Sequence, residues 1–208
     1  MSQATSLSVA VPTNVNTEHV AFSSARIPLA IILLTALILP ACASFWLSGD
    51  LPLLRIAPET LGTRTVEQRA SVAWPGGQRA LEMVVDVDGG TMVVIGMAFG
   101  TRLFSLVYDG KKITETQPPP GGLSATRIAN DLLLAYAPLD ALLAALPAGW
   151  TAREEPGARQ VFRDGTPAIS IHYAESSPWT GRVLFNNHAL RYQLTLDSHE
   201  AEADSDAQ

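Results

Sequence analysis

The sequence predicts a β-rich α+β fold: an open antiparallel β-barrel of about 9–11 short strands with a kinked apolar helical lid. Three observations predict it. Short runs of period-two apolar alternation recur on both sides of the chain's middle, separated by tight Gly, Pro and Asp turns. One longer stretch, residues 124–146, instead spaces its apolar residues for a helix and is apolar around most of its circumference. Such a helix must be covered on more than one side. One sheet wrapped around it buries both apolar faces, whereas a two-sheet sandwich has no place for it.

The elements follow in order. Val66 to Trp74 is a strand stopped by Pro75-Gly76-Gly77. Gln78 to Val87 is the clearest strand, with Leu81, Met83, Val85 and Val87 alternating with Glu82, Val84 and Asp86. Asp88-Gly89-Gly90 is hairpin turn chemistry, because glycine accepts the positive φ that tight hairpins need. Thr91 to Phe99, Arg102 to Tyr108 and Lys111 to Thr116 continue the series, and Pro118-Pro119-Pro120-Gly121-Gly122 ends it.

Ser124 or Thr126 is the expected N-cap of the helical stretch, and Ile128, Leu132, Ala135, Leu139, Leu142 and Leu146 form its main stripe. Pro138 removes a backbone donor in mid-helix, which predicts a kink or two short helices with Pro138 in the first turn of the second. Strands resume at Thr151 to Glu155, Gln160 to Arg163 and Ala168 to Tyr173. Gly181 to Phe185 and Ala189 to Leu196 make a closing hairpin across Asn186-Asn187-His188.

The N-terminal region has a different character. Arg26 precedes an apolar run, Ile27 to Leu39, that ends in Leu39-Pro40-Ala41-Cys42. About 13 apolar residues span only ~20 Å as a helix, short of the ~30 Å hydrocarbon core and suited to the h-region of a secretory signal. The Leu-x-Ala-Cys ending resembles the bacterial lipobox, and Cys42 is the chain's single cysteine. This resemblance implies cleavage before Cys42 and its acylation with a diacylglyceryl thioether and an N-acyl chain, more than enough for a stable anchor. Ala43 and Ser44 offer no acidic inner-membrane retention signal, so the expected location is the periplasmic face of the outer membrane. The expected organisation is a signal peptide over 1–41, a lipidated tether over 42–63, the barrel domain over 64–197 and a disordered acidic tail over 198–208.

The formal net charge of −6 argues against nucleic acid as a partner. A single acylated thiol leaves no intramolecular disulfide, and the spacing of Cys and His holds no metal signature; no cofactor is expected. Catalysis is also disfavoured. His172 sits two residues from Ser170 without a Gly-x-Ser-x-Gly elbow, His188 lies in a turn and His199 at the tail. Asp86 with Asp88 and Glu154 with Glu155 read as solvated, and the Gly-Gly pairs lack the Lys or Ser/Thr of a phosphate loop.

The order of these features resembles the LolA/LolB family: a lipobox, a strand series, an apolar helical insertion around Asp131-Leu132-Leu133-Leu134-Ala135-Tyr136-Ala137-Pro138-Leu139, then Leu146-Pro147-Ala148-Gly149-Trp150 and a second strand series. Asn130-Asp131-Leu132, Tyr108-Asp109-Gly110 and the Trp179-x-Gly181 to Tyr192-x-Leu194 hairpin resemble more closely a bacterial outer-membrane lipoprotein family with a domain of unknown function. That family is found with aryl-polyene and related lipid-biosynthesis clusters, beside LolA-like carriers and acyl carrier proteins. The resemblance implies a hydrophobic cavity under a helical lid that holds an acyl, lipid or polyene chain, with a LolA-like carrier as a partner and lipid or lipoprotein transfer as the role. The alternative is a non-catalytic structural or assembly lipoprotein whose core is filled and whose surface binds an envelope partner.

Candidates for a cavity lining are Met83, Val85, Met92, Val94, Met97, Phe104, Leu106, Leu132, Tyr136, Leu139 and Leu143. Methionine suits a site whose occupant changes, because thioether chains repack easily. Periodicity does not separate a cavity wall from a filled core. Trp74, Trp150 and Trp179 are candidates for a rim near lipid head groups.

Overall fold

The computed structural model describes residues 51–120 and 123–200. The expected signal peptide, Cys42 and the first part of the expected tether lie outside the described residues, as does most of the expected acidic tail. Ten antiparallel strands form one sheet in the order β5-β4-β3-β2-β1-β10-β9-β8-β7-β6. They are β1 (Arg64–Trp74), β2 (Gly77–Asp88), β3 (Thr91–Ala98), β4 (Thr101–Tyr108), β5 (Ile113–Gln117), β6 (Trp150–Glu155), β7 (Ala158–Arg163), β8 (Thr166–Tyr173), β9 (Gly181–Asn187) and β10 (Tyr192–Glu200). Among the described residues β5 and β6 pair on one side only, so the expected barrel is not closed. The first and last strands, β1 and β10, meet at the sheet's centre with Ala70 opposite Leu196.

Between the two halves run α1 (Ala125–Tyr136) and α2 (Leu139–Ala145). Pro138 is the N-cap of α2, one residue earlier than the expected first turn, and the chain bends there because proline offers no N–H to continue the ladder. The helices contact the two edge strands, α1 against β5 and α2 against β6. From Ala129 to Tyr136 every residue of α1 is buried, as its all-round apolar character requires. None of the described helices is long and apolar enough to cross a membrane.

Period two sorts each strand between faces. On β2 the row Met83, Val85 and Val87 is buried, while Glu82 and Asp88 are exposed. Val85, Val94, Leu106 and Val66 on neighbouring strands are fully buried with Leu133, Phe185 and Ile171. Gly89 and Gly90 take φ of 51° and 89° at the β2–β3 turn, both in the left-handed region that a two-residue hairpin demands.

Two expectations change at the domain edges. Residues 51–63 are no loose lead-in: Leu54, Ile56 and Leu61 are buried, and a 3-10 turn spans Pro58–Leu61. Leu-x-Ile is too short for a periodic signal, and its burial depends on partners far along the chain. At the other end β10 runs to Glu200, because Ser198, His199 and Glu200 pair with Gln68, Glu67 and Val66.

Candidate functional site

Antiparallel topology brings the β1–β2, β3–β4, β7–β8 and β9–β10 turns to one end of the sheet, together with the start of α1. At that end a groove of about 410 Å³ opens between the concave face of the sheet and the first half of α1. The volume falls within the ~300–1,000 Å³ typical of small-molecule sites. Its floor is Ala70 and Val72 of β1, Leu81 and Met83 of β2, Phe104 of β4 and Leu194 of β10; Ile128 and Leu132 of α1 face them. Gly96 makes room on the β3 side. A Cβ there would clash with the Phe104 ring, so the ring takes up this space only because β3 has no side chain at this point.

Polar groups gather at the mouth. Arg79, Ser124, Arg127, Asp131 and Tyr192 all touch the groove. The Tyr192 hydroxyl donates to the Asp131 carboxylate at 2.7 Å, and burial followed by the Asp131 charge raises the phenol's pKa above its ordinary value. Trp74, 40% exposed, stands at the rim, and Phe99 on the β3–β4 turn at the same end is fully exposed. A second, smaller hollow of about 60 Å³ lies on the other flank of α1, against Leu51, Trp150, Ile169 and Leu190.

The helix is held in place from its far end and from beneath. Arg159, buried on β7, donates to the Leu134 and Ala137 carbonyls at 2.5 and 2.7 Å, and Tyr173 donates to the Ala135 carbonyl at 2.8 Å. These donors satisfy carbonyls that the end of a helix leaves unpaired, and the guanidinium also complements the negative end of its dipole. Glu154 neutralises the arginine. Asn130 accepts the Leu54 N–H at 2.9 Å and donates to the Leu51 and Pro52 carbonyls. The Tyr108 hydroxyl accepts the Ile56 N–H and donates to the Leu54 carbonyl at 2.6 Å. A strap, residues 51–56, is thereby fastened to both the helix and the sheet. A Cβ at Gly110 would lie only 3.3–3.5 Å from Pro58, Ile56 and Ala57. Asp109 accepts the Lys111 and Lys112 N–H groups, and the Lys112 bond first, then the Lys111 bond, hold its carboxyl below the usual range.

Beneath the helix C-terminus, Trp179 is buried and stacks on Tyr136 with ring centroids 4.0 Å apart, and Arg64 covers its other face at 4.6 Å. Tyr136 accepts a 2.7 Å hydrogen bond from Gln68, and burial pushes its phenol up to about 12. The motif residues that the sequence singled out for resemblance are thus largely fasteners: Tyr108 and Asn130 hold the strap, Asp131 and Tyr192 clasp helix to sheet, and Trp179 closes the far end.

Of the lining candidates, Met83, Phe104 and Leu132 line the groove. Val85, Met92, Val94 and Leu106 are fully buried in the packed part of the core and do not touch it. Tyr136 belongs to the far-end stack. Met97 is half-buried on the other face of β3, where alternation places it with Val93 and Ile95 and opposite Glu82, and Leu139 and Leu143 sit on α2, half-buried and exposed respectively, away from the groove. Trp179 is no rim residue, and Trp150 faces the smaller hollow. Sequence reasoning passed over Ala70, Val72, Leu81, Ile128 and Leu194; for Leu81 the row shared with Met83 was a usable signal. His188 Nε2 lies 2.7 Å from Ser170 Oγ, on the outer face opposite Ile169 and Ile171, and His172 is exposed. Among the described residues no group of three His, Cys, Asp or Glu side chains is arranged for a metal.

A family model described as a protein of unknown function (DUF3261) matches residues 65–200, more than half of the chain. The chain belongs to this family. The matched region starts at β1 and ends at β10, so it takes in the whole sheet, both helices and the groove, and leaves the strap outside. Among solved structures the chain is similar to a LolA superfamily protein from Nitrosomonas europaea at 12% identity, with 71% of this chain and 90% of that one covered and a TM-score of 0.36. No curated protein matches.

Proposed function

We propose that the chain is a lipid-handling lipoprotein that holds an acyl or polyene chain in the groove under α1 and assists lipid or lipoprotein transfer. The observation that carries this reading is the groove itself: an open, mostly apolar space of about 410 Å³ beside a densely buried core. Apolar surface left facing water costs roughly 25 cal/mol per Å², and an apolar occupant recovers it. The exposed aromatics Trp74 and Phe99 at the mouth suit delivery to or from an apolar environment. The lipobox at Cys42 supports anchoring at the outer membrane, facing the periplasm. The sequence resemblance to the LolA/LolB family makes a LolA-like carrier the partner to test.

Native mass spectrometry with lipid extraction on the full chain, purified from a bacterial membrane fraction, tests the reading. A stoichiometric acyl or polyene species, lost in a Leu194→Glu variant, is the expected result. A protein that comes off clean and binds no apolar dye would instead favour a non-catalytic assembly role, with the packed half of the core as its rationale. Cys42→Ser is expected to move the protein from the membrane to the soluble fraction.

A further inference from the structure

The inward row of β2 runs Val87, Val85, Met83, Leu81 and then, on the same face at the mouth, Arg79. The apolar stripe thus ends in a guanidinium at the mouth. Arg79 stands opposite Val72, which pairs in turn with Leu194, so its charge lies at the end of the groove's central floor. It is exposed and makes no hydrogen bond or ion pair among the described residues.

Arg127, on the first half of α1, also lines the mouth, as does Asp131, the single carboxylate of the lining, which accepts the Tyr192 hydroxyl. The start of α1 adds to the same sign. Its first turn carries no acidic residue, and its N-cap Ser124 borders the groove, so the positive end of the helix dipole faces the mouth. A chain whose overall charge is −6 has thus gathered two cations and a helix N-terminus against one carboxylate at one opening.

We propose that the groove takes an amphiphile with one anionic head, a carboxylate or a phosphate monoester, on a single apolar tail. This rests on the reading of the groove as a site for an apolar chain. The head lies between Arg79 and the first turn of α1, where a charge-assisted contact to a guanidinium is stronger than one to a neutral donor. The tail runs inward over Leu81, Met83, Phe104 and Leu194 beneath Leu132. One groove of this volume has room for one tail, and a neutral or cationic head would leave Arg79 and the helix N-terminus uncompensated as the mouth is covered.

Displacement of a fluorescent fatty-acid analogue from the delipidated full chain tests it, with hexadecanoate, hexadecyl phosphate, 1-hexadecanol, hexadecyltrimethylammonium and inorganic phosphate as competitors. Hexadecanoate and hexadecyl phosphate are expected to compete about tenfold better than hexadecanol, the ammonium worst, and inorganic phosphate not at all. Arg79→Gln is expected to remove most of that advantage without weakening hexadecanol, and Arg79→Lys to restore part of it. Arg79 is exposed, so circular dichroism is expected to show both variants folded. Equal competition by hexadecanol and hexadecanoate would overturn the anionic head and leave the groove reading standing. Failure of every amphiphile would overturn both. Competition by inorganic phosphate alone would overturn the amphiphile in favour of a plain anion site.

Discussion

The space beneath α1 has two ends with apolar linings, and only one of them is filled. At the far end Met92, Leu106, Tyr108 and Leu133 are large and fully buried, and the strap brings Leu54 and Ile56 in to meet them. At the mouth the floor residues include Ala70, Val72 and Leu194, which α1 faces across the groove without filling it. The floor is apolar at both ends, with the polar groups of the mouth gathered at its edge. What differs is side-chain size and the presence of a third element, fastened by Tyr108 and Asn130, that crosses one end and leaves the other open. Interiors are packed to crystal-like density where the chain supplies atoms to fill them, and a vacancy marks where it does not.

Truncation of one leucine at each end makes the sharpest contrast. Leu133→Ala, at a fully buried position, is expected to cost about 2–5 kcal/mol in urea unfolding. Leu194→Ala, half-buried on the groove floor, is expected to cost about 1 kcal/mol, because its loss enlarges an opening that already exists. Equal costs would mean that the mouth is as tightly packed as the far end. Gly96→Ala addresses the border between the two. Its Cβ displaces Phe104 toward the groove, which is expected to lower stability by about 1–3 kcal/mol and to weaken binding of an apolar dye.

Alkali attacks the buried tyrosine fastenings of the helix, Tyr136 and Tyr173 toward its C-terminal end and Tyr192 at the mouth. Burial pushes Tyr136 and Tyr173 up to about 12, whereas tyrosine in the unfolded chain ionises near 10. Their contribution is complete below pH 10 and is lost as pH rises through about 12, since the unfolded chain releases its protons first. The urea midpoint is therefore expected to fall over that window by an amount on the order of 2 kcal/mol per phenol, and Tyr136→Phe is expected to flatten the decline. A midpoint independent of pH in that range would mean that these hydroxyls are solvated.

Much of this fold was legible. The period-two runs placed strands close to their observed bounds, Gly89-Gly90 declared its hairpin, and Pro138 declared the break between two helices. The site was legible only in part. Met83, Phe104 and Leu132 were read as lining, but Val85, Met92, Val94 and Leu106 have the same local pattern and face filled core. Arg79 went unremarked because a charged residue two positions from a turn reads as solvated, although its parity placed it on the apolar face. The strap carried no periodic signal at all.

The sequence by itself determined the strand faces, the turns and the broken apolar helix, since each depends on residues within a few positions of one another. The tertiary structure decided which apolar residues have neighbours: whether the sheet closes, where the strap lies, that Trp179 stacks on Tyr136, and that an arginine ends the groove's floor. Those contacts join residues tens of positions apart, as Leu54 joins Asn130 and Gln68 joins Ser198, and a local pattern holds no record of distance across the fold.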